Sequence, residues 1–134
     1  CRGGDAVACT RQGVIFEFGI GVEPDAVRAK ALYAQGYRLS DAACRNGSAP
    51  YCTYAGDLLA TGMGVELDDA RAVSRYTQGC EGGNANGCLK TGRAHELGEG
   101  VPVDLIAAAE FYTKAFDLGN NSGCGKAAVL AATN

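Results

Sequence analysis

The sequence predicts an all-α fold: an α/α solenoid of about three and a half antiparallel helix-pair repeats with disulfide staples. Three observations predict it. A segment bounded by cysteines recurs, as CRGGDAVAC from Cys1, CRNGSAPYC from Cys44 and CEGGNANGC from Cys80, and a fourth version, FDLGNNSGC from Phe116, has lost its first cysteine. After the first three comes G-x5-G-x-G-V, starting at Gly13, Gly56 and Gly92, with aspartate, alanine and tyrosine following at fixed offsets. No run of alternating residues argues for strands. Internal repetition of this length is the mark of a stacked-repeat architecture, in which each unit buries its apolar face against the next.

Each unit reads as two helices. A glycine (Gly4, Gly47, Gly83, Gly119) and then a capping residue (Asp5, Ser48, Asn84, Asn120) precede the last cysteine of each segment, and that cap opens the first helix. G-x-G-V ends it with a tight turn, where glycine accepts φ > 0. Asp25, Asp68 and Asp104 are the expected N-caps of the second helices. Ala29, Ala72 and Ala108 each precede Tyr33, Tyr76 and Tyr112 by one turn and share their helical face, so the tyrosines are expected as a core ladder between repeats. The helices expected are 7–18, 25–45, 50–61, 68–81, 86–97, 104–117 and 122–132. Pro24 and Pro102 precede caps, and Pro50 falls in a first turn, so all three are tolerated.

The spacing is 36 residues from Gly56 to Gly92 but 43 from Gly13 to Gly56. The seven extra residues lie between Tyr37 and Cys44, in YRLSDAAC. Seven residues are almost two turns, so the lengthened helix keeps its buried face and is expected to project beyond its neighbours. The expected units are a tail of a preceding repeat at 1–8, repeats at 9–51, 52–87 and 88–123, and a C-terminal helix at 124–134. The last segment, GKAAVLAATN, has Ala128 where the glycine would stand and reads as an apolar capping helix. Such ends imply a longer protein or self-association through the repeat ends.

Composition narrows the function classes. The net charge of −3 is spread without long runs, so no nucleic-acid surface is expected. The apolar stretches are too short for a membrane span, and no signal peptide is visible. Most of the twenty glycines fall at recurring positions and are therefore punctuation, not flexibility. Seven cysteines in 134 residues favour an oxidising compartment.

Cysteines eight apart in one unbroken helix would lie about 12 Å apart, whereas a disulfide needs Cα atoms within about 7 Å. The glycine and cap between them supply the required reversal. Six cysteines allow fifteen pairings; the repetition favours the local one, Cys1–Cys9, Cys44–Cys52 and Cys80–Cys88. A loop of this size contributes roughly 2.5 kcal/mol on the chain-entropy view. Zinc sites favour cysteines two to four apart, and redox motifs C-x-x-C; the chain has neither. Cys124, opposite Phe116, is left unpaired, as a buried thiol or a partner for a cysteine elsewhere, and Cys1 raises the alternative of lipidation.

Catalytic constellations are absent. There is no G-x-S-x-G, S-x-x-K or phosphate loop, and the thrice-repeated G-x-G marks a helix turn. His95, the one histidine, aligns with Phe16 and Leu59 and is expected as a partly buried packing residue with one hydrogen bond. Glu17 and Glu96 are expected on solvated faces. No catalytic residue, metal or cofactor is predicted.

The combination of G-x5-G-x-G-V, Asp, Ala, Tyr and C-x7-C over essentially the whole chain closely resembles Sel-one-like repeats, relatives of tetratricopeptide repeats. The cysteines eight apart, and the junction KAFDLGNNSGC with Phe116 in a cysteine's place, are similar to the Helicobacter cysteine-rich protein family. The resemblance implies a solenoid that binds proteins. It also implies β-lactam binding or weak hydrolysis as an alternative, although the serine-lactamase motifs are missing.

Solenoids bind along the concave face lined by their first helices. Positions two, five and nine after each last cysteine share that face: Arg11, Val14 and Phe18; Tyr54, Asp57 and Thr61; Lys90, Arg93 and Leu97. They vary between repeats while the packing positions do not. The function predicted is a protein- or peptide-binding scaffold, periplasmic, cell-surface or secreted in a bacterium, with no catalysis of its own. A structural subunit of a surface assembly is a further alternative, and the long helix ending at Cys44 a second candidate surface.

Overall fold

The computed structural model describes residue 1 and residues 5–119, and in it the chain is helical. Six helices follow one another: α1 (Ala6–Phe18), α2 (Ala26–Arg45), α3 (Ala49–Thr61), α4 (Asp69–Glu81), α5 (Ala85–Leu97) and α6 (Leu105–Asp117). Their bounds agree with the expected ones to within a residue. The seventh expected helix, with Asn120 and Cys124, lies outside the described residues. Pairs α1–α2, α3–α4 and α5–α6 form the repeats, and α2–α3 and α4–α5 pack the repeats onto each other.

The caps explain the agreement. The side chains of Asp25, Asp68 and Asp104 each accept a hydrogen bond from the backbone N–H three residues on, at 3.0 Å. Asp5 accepts from Val7 N at 2.9 Å and Asn84 from Gly87 N at 2.8 Å. Ser48 departs from this pattern: it has the extended backbone of an N-cap, but its side chain makes no capping bond. The first helices end at Gly19, Gly62 and Gly98, all left-handed with φ of 66, 71 and 72°, where a side chain would be strained.

Each repeat closes on one contact. A Cβ built on Gly13, Gly56 or Gly92 would lie 2.5, 2.6 or 2.9 Å from ring atoms of Tyr33, Tyr76 or Tyr112. The first glycine of G-x5-G-x-G-V is therefore the floor on which the tyrosine of the second helix lies. The tyrosines are core residues, as expected, but their rings pack inside their own helix pair. The ladder between repeats gives way to that arrangement, because the missing Cβ lies on the partner helix of the same repeat.

The junctions between repeats are stapled. Cys1–Cys9, Cys44–Cys52 and Cys80–Cys88 are bonded, with Cα separations of 4.3, 4.5 and 4.4 Å. The staples are also core: Cys80 and Cys88 are fully buried against Ala115, with Leu89 and Phe111 around them. Gly47 and Gly83, both at φ 95°, reverse the chain inside the second and third staples. Phe116, at the position of the lost cysteine, is exposed.

Docking of the next repeat is counted back from the staple. A Cβ on Gly64, in the α3–α4 turn, would run into the backbone of Tyr33 and Ala34; one on Gly100, in the α5–α6 turn, would run into Asp69 and Ala70. Tyr33 and Asp69 both stand eleven residues before the first cysteine of their staple. Counted from the N-caps, Tyr33 is eight residues in and Asp69 one. The seven extra residues of α2 thus shift the second repeat along the first by about two turns, roughly 10 Å. The expected projection is therefore at the start of α2. The inserted end is engaged: Ser40 donates to Gly36 O at 2.8 Å, and buried Asp41 holds Arg45 at 2.8 Å and Arg75 of α4 at 2.7 Å.

Candidate functional site

The first helices α3 and α5 touch one another directly, and a groove of about 380 Å³ runs beside them. Asp57, Thr61, Lys90 and Arg93 line it, over a floor that includes Ala60, Ala72, Val73 and Tyr76. Asp69 and Glu99 complete the rim. Four of the nine expected binding residues are brought together here. Arg11, Val14, Phe18, Tyr54 and Leu97 do not line this groove. Phe18 and Leu97 stand exposed at the ends of α1 and α5, and Tyr54 makes an edge-to-face contact with Tyr51 at 6.4 Å.

The polar groups of the groove are coupled. Asp57 Oδ1 accepts from Tyr76 OH at 2.8 Å and from Lys90 Nζ at 2.5 Å. Lys90 Nζ also lies 5.5 Å from the centre of the Tyr76 ring. This three-residue cluster ties repeat 2 to repeat 3. Burial first, and then the bond to Asp57, push the Tyr76 hydroxyl well above its ordinary range, so it stays a neutral donor. Arg93 has a looser partner, Glu99, at 3.8 Å with both side chains more than half exposed; such a pair contributes little and is easily exchanged for a ligand.

The same tyrosines in the outer repeats correct two expectations. Glu17 accepts a hydrogen bond from Tyr33 OH, and Glu96 one from Tyr112 OH at 2.5 Å. These carboxylates are structural partners across the helix pair, not merely solvated residues. Repeat 2 has Ala60 at the corresponding position, and Asp57, one turn earlier on the same face, takes over the role. The signal for this pairing was present: a glutamate stands sixteen residues before Tyr33 and before Tyr112, but not before Tyr76.

His95 is partly buried as expected, but its ring stacks on Phe111 at 5.5 Å and 3°. Its Nδ1 is buried and has no hydrogen-bond partner among the described residues, so at that atom the stack stands in place of the expected bond. The polar groove residues that the sequence does not single out, Asp69 and Glu99, sit beside the N-cap of α4 and between the turn glycines of G-x-G.

The architecture and its repeat motif define the class, and the chain belongs to the Sel1 repeat family: the family model matches residues 6–41, 49–84 and 85–120. The first two matched segments are separated by residues 42–48, whereas the second and third are contiguous, as the longer first spacing requires. Among solved structures, the chain is similar to Helicobacter pylori cysteine rich protein B, with TM-score 0.66 and 25% identity over 90% of this chain and 87% of that one. It is similar to c5321, a protective antigen of uropathogenic Escherichia coli strains with an SLR fold, with TM-score 0.62 and 28% identity over 89% of this chain. A Sel1 repeat protein from Oxalobacter formigenes shares the fold, with TM-score 0.61 and 21% identity over 90% of this chain. The chain spans 59% of the Oxalobacter protein and 24% of c5321. No curated protein matches the sequence. Sel1 repeat proteins are protein-interaction scaffolds, and among the described residues no helix is long and apolar enough to cross a membrane.

Proposed function

We propose that this chain is a scaffold for an extended segment of a partner protein, held in the groove beside α3 and α5, and that it works in an oxidising setting outside the bacterial cytoplasm. One observation carries the groove: an apolar floor of Ala60, Ala72 and Val73 lies beneath polar groups from two repeats that converge on it. That is the composition of a recognition site, in which the floor supplies burial and a few polar groups fix register. The variable positions of the repeat, not the packing ones, supply Thr61, Lys90 and Arg93. Three disulfides support the setting.

The test is capture from an envelope extract of the source cells. Bait carrying Arg93→Glu with Thr61→Lys loses the partner, while bait carrying Arg11→Glu, outside the groove, keeps it. A partner held equally by all baits would place recognition elsewhere.

A further inference from the structure

A second cavity, of about 550 Å³, opens where repeat 1 meets repeat 2, within the roughly 300–1,000 Å³ typical of ligand sites. The groove at the second junction uses five of the same repeat positions, Ala60, Asp69, Ala72, Val73 and Tyr76 standing for Glu17, Ala26, Ala29, Lys30 and Tyr33, and the seven-residue step changes what covers them. The α3–α4 turn docks at Tyr33 and Ala34, so the first two turns of α2 are left without a covering turn. At the next junction the corresponding turn docks at Asp69 and Ala70, on the very start of α4, and that overhang does not exist.

Ala26, Ala29 and Ala34 floor the cavity, and Glu17, Lys30 and Glu66 are its charged groups. Glu17 uses Oε2 for Tyr33, and among the described residues its other oxygen has no hydrogen bond. Among the described residues, Lys30 and Glu66 have neither an ion pair nor a side-chain hydrogen bond, and they do not pair with each other. Two carboxylates and an ammonium thus share one small-residue cavity without neutralising one another. At the corresponding positions repeat 2 has Ala60 and Val73 for Glu17 and Lys30, so the second junction lacks this charge pattern. On the same part of the molecule Val27 is 82% and Phe18 69% exposed, which offers apolar surface beyond the cavity.

We propose that this cavity takes the C-terminal basic residue of a partner polypeptide. The terminal carboxylate meets the Lys30 ammonium. The aliphatic stem of an arginine or lysine lies over the alanine floor, and its cationic head reaches Glu17 and Glu66. Lys30 and Glu66 then gain partners and Glu17 gains a second one, and charge-assisted pairs are the stronger class of hydrogen bond. Preceding residues of the ligand continue over Val27 and Phe18, which favours a polypeptide end over a free amino acid. The assignment does not depend on the groove beside α3 and α5.

The experiment is fluorescence anisotropy of the full chain with a labelled octapeptide ending in arginine. The free-carboxylate peptide binds saturably. Its C-terminal amide binds about tenfold more weakly, as does the acid peptide to Lys30→Gln. Amidation has no further effect on Lys30→Gln, Glu66→Gln weakens the arginine peptide, and Arg93→Glu changes nothing. Ala34→Leu, which fills the cavity on an intact helix, abolishes binding. Equal binding of acid and amide peptides, indifference to Lys30→Gln or Ala34→Leu, or no saturable binding overturns the proposal. Free arginine competing as well as the peptide overturns the polypeptide assignment.

Discussion

The two junctions between repeats are built from the same parts and differ by seven residues. At the second junction, α4 and α5 meet through Cys80–Cys88 and small residues, and the next turn docks on the first residues of α4. At the first, Cys44–Cys52 does the same, but α2 is two turns longer and the buried Asp41–Arg75 pair joins α2 to α4. The difference teaches how a solenoid changes shape without changing its packing. Seven residues return a helix nearly to the same face, so the insertion preserves which residues are buried and changes only where the next repeat sits. Tyr33 still lies on Gly13 as Tyr76 lies on Gly56. What changes is the surface: an overhang with Lys30 and Glu17 at one junction, and a groove walled by Lys90 and Arg93 at the other.

The contact common to all repeats gives the largest expected effect. Gly56→Ala places a methyl group 2.6 Å from the Tyr76 ring and 3.1 Å from Ala72 O, and should cost about 3 kcal/mol by chemical denaturation. Gly92→Ala, with its nearest ring atoms at 2.9 Å, should cost less. Equal costs would mean that the tyrosines repack freely.

The staples come next. Replacing Cys44 and Cys52 together by serine should lose roughly 2.5 kcal/mol, and so should Cys80 with Cys88, since both loops are the same length. A much greater loss at Cys80–Cys88 would show that its complete burial against Ala115 matters more than loop closure.

Asp41→Ala removes the charged partner of a largely buried arginine, leaving it Gln78, and should cost about 2 kcal/mol, measured beside Arg75→Ala and the double variant to isolate the pair. Among the described residues the second junction has no equivalent pair, so this loss sharpens the contrast between the two.

The phenols give a pH test. Burial, and then the bond to Glu17, push the Tyr33 hydroxyl up to about 12 from 10.0. A group whose pKa rises on folding stabilises fully below its unfolded value, and the stabilisation is lost as pH climbs through the folded one. Stability should therefore fall between pH 10 and 12, and Tyr33→Phe should make that fall shallower. The smallest effect is a gain: Ser48→Asp supplies the capping bond that Asp5 and Asn84 already make, for about 0.5–1 kcal/mol.

Much of this fold was legible because its signals are local and repeated. Gly19, Gly62 and Gly98 end helices through their own backbone freedom, Asp25, Asp68 and Asp104 start them through a bond three residues away, and the staples close over eight. The candidate site was less legible because its pairs cross between helices. Tyr76 with Asp57 and Asp57 with Lys90 span 19 and 33 residues, and no spacing rule connects them. Helical periodicity within each repeat defines the concave-face positions. Periodicity says nothing of the stagger between repeats, which is why Arg11, Val14 and Phe18 fall outside the groove that gathers Asp57 and Lys90. Ser48 shows the reverse limit: the residue type and backbone of a cap are present, but the bond is not.

The most direct test of the account is a crystal structure of the chain with residues 37–43 deleted. The deletion joins Gly36 to Cys44, so that YAQGC follows the pattern of YTQGC in the next repeat. The account predicts that Cys44–Cys52 re-forms, Tyr33 stays on Gly13, and Gly64 moves two turns along α2 to lie against Ala26 and Val27, as Gly100 lies against Asp69 and Ala70. Gly64 remaining against Tyr33 and Ala34 in the deleted chain would contradict it, because the position of each repeat would then not be counted from the staple.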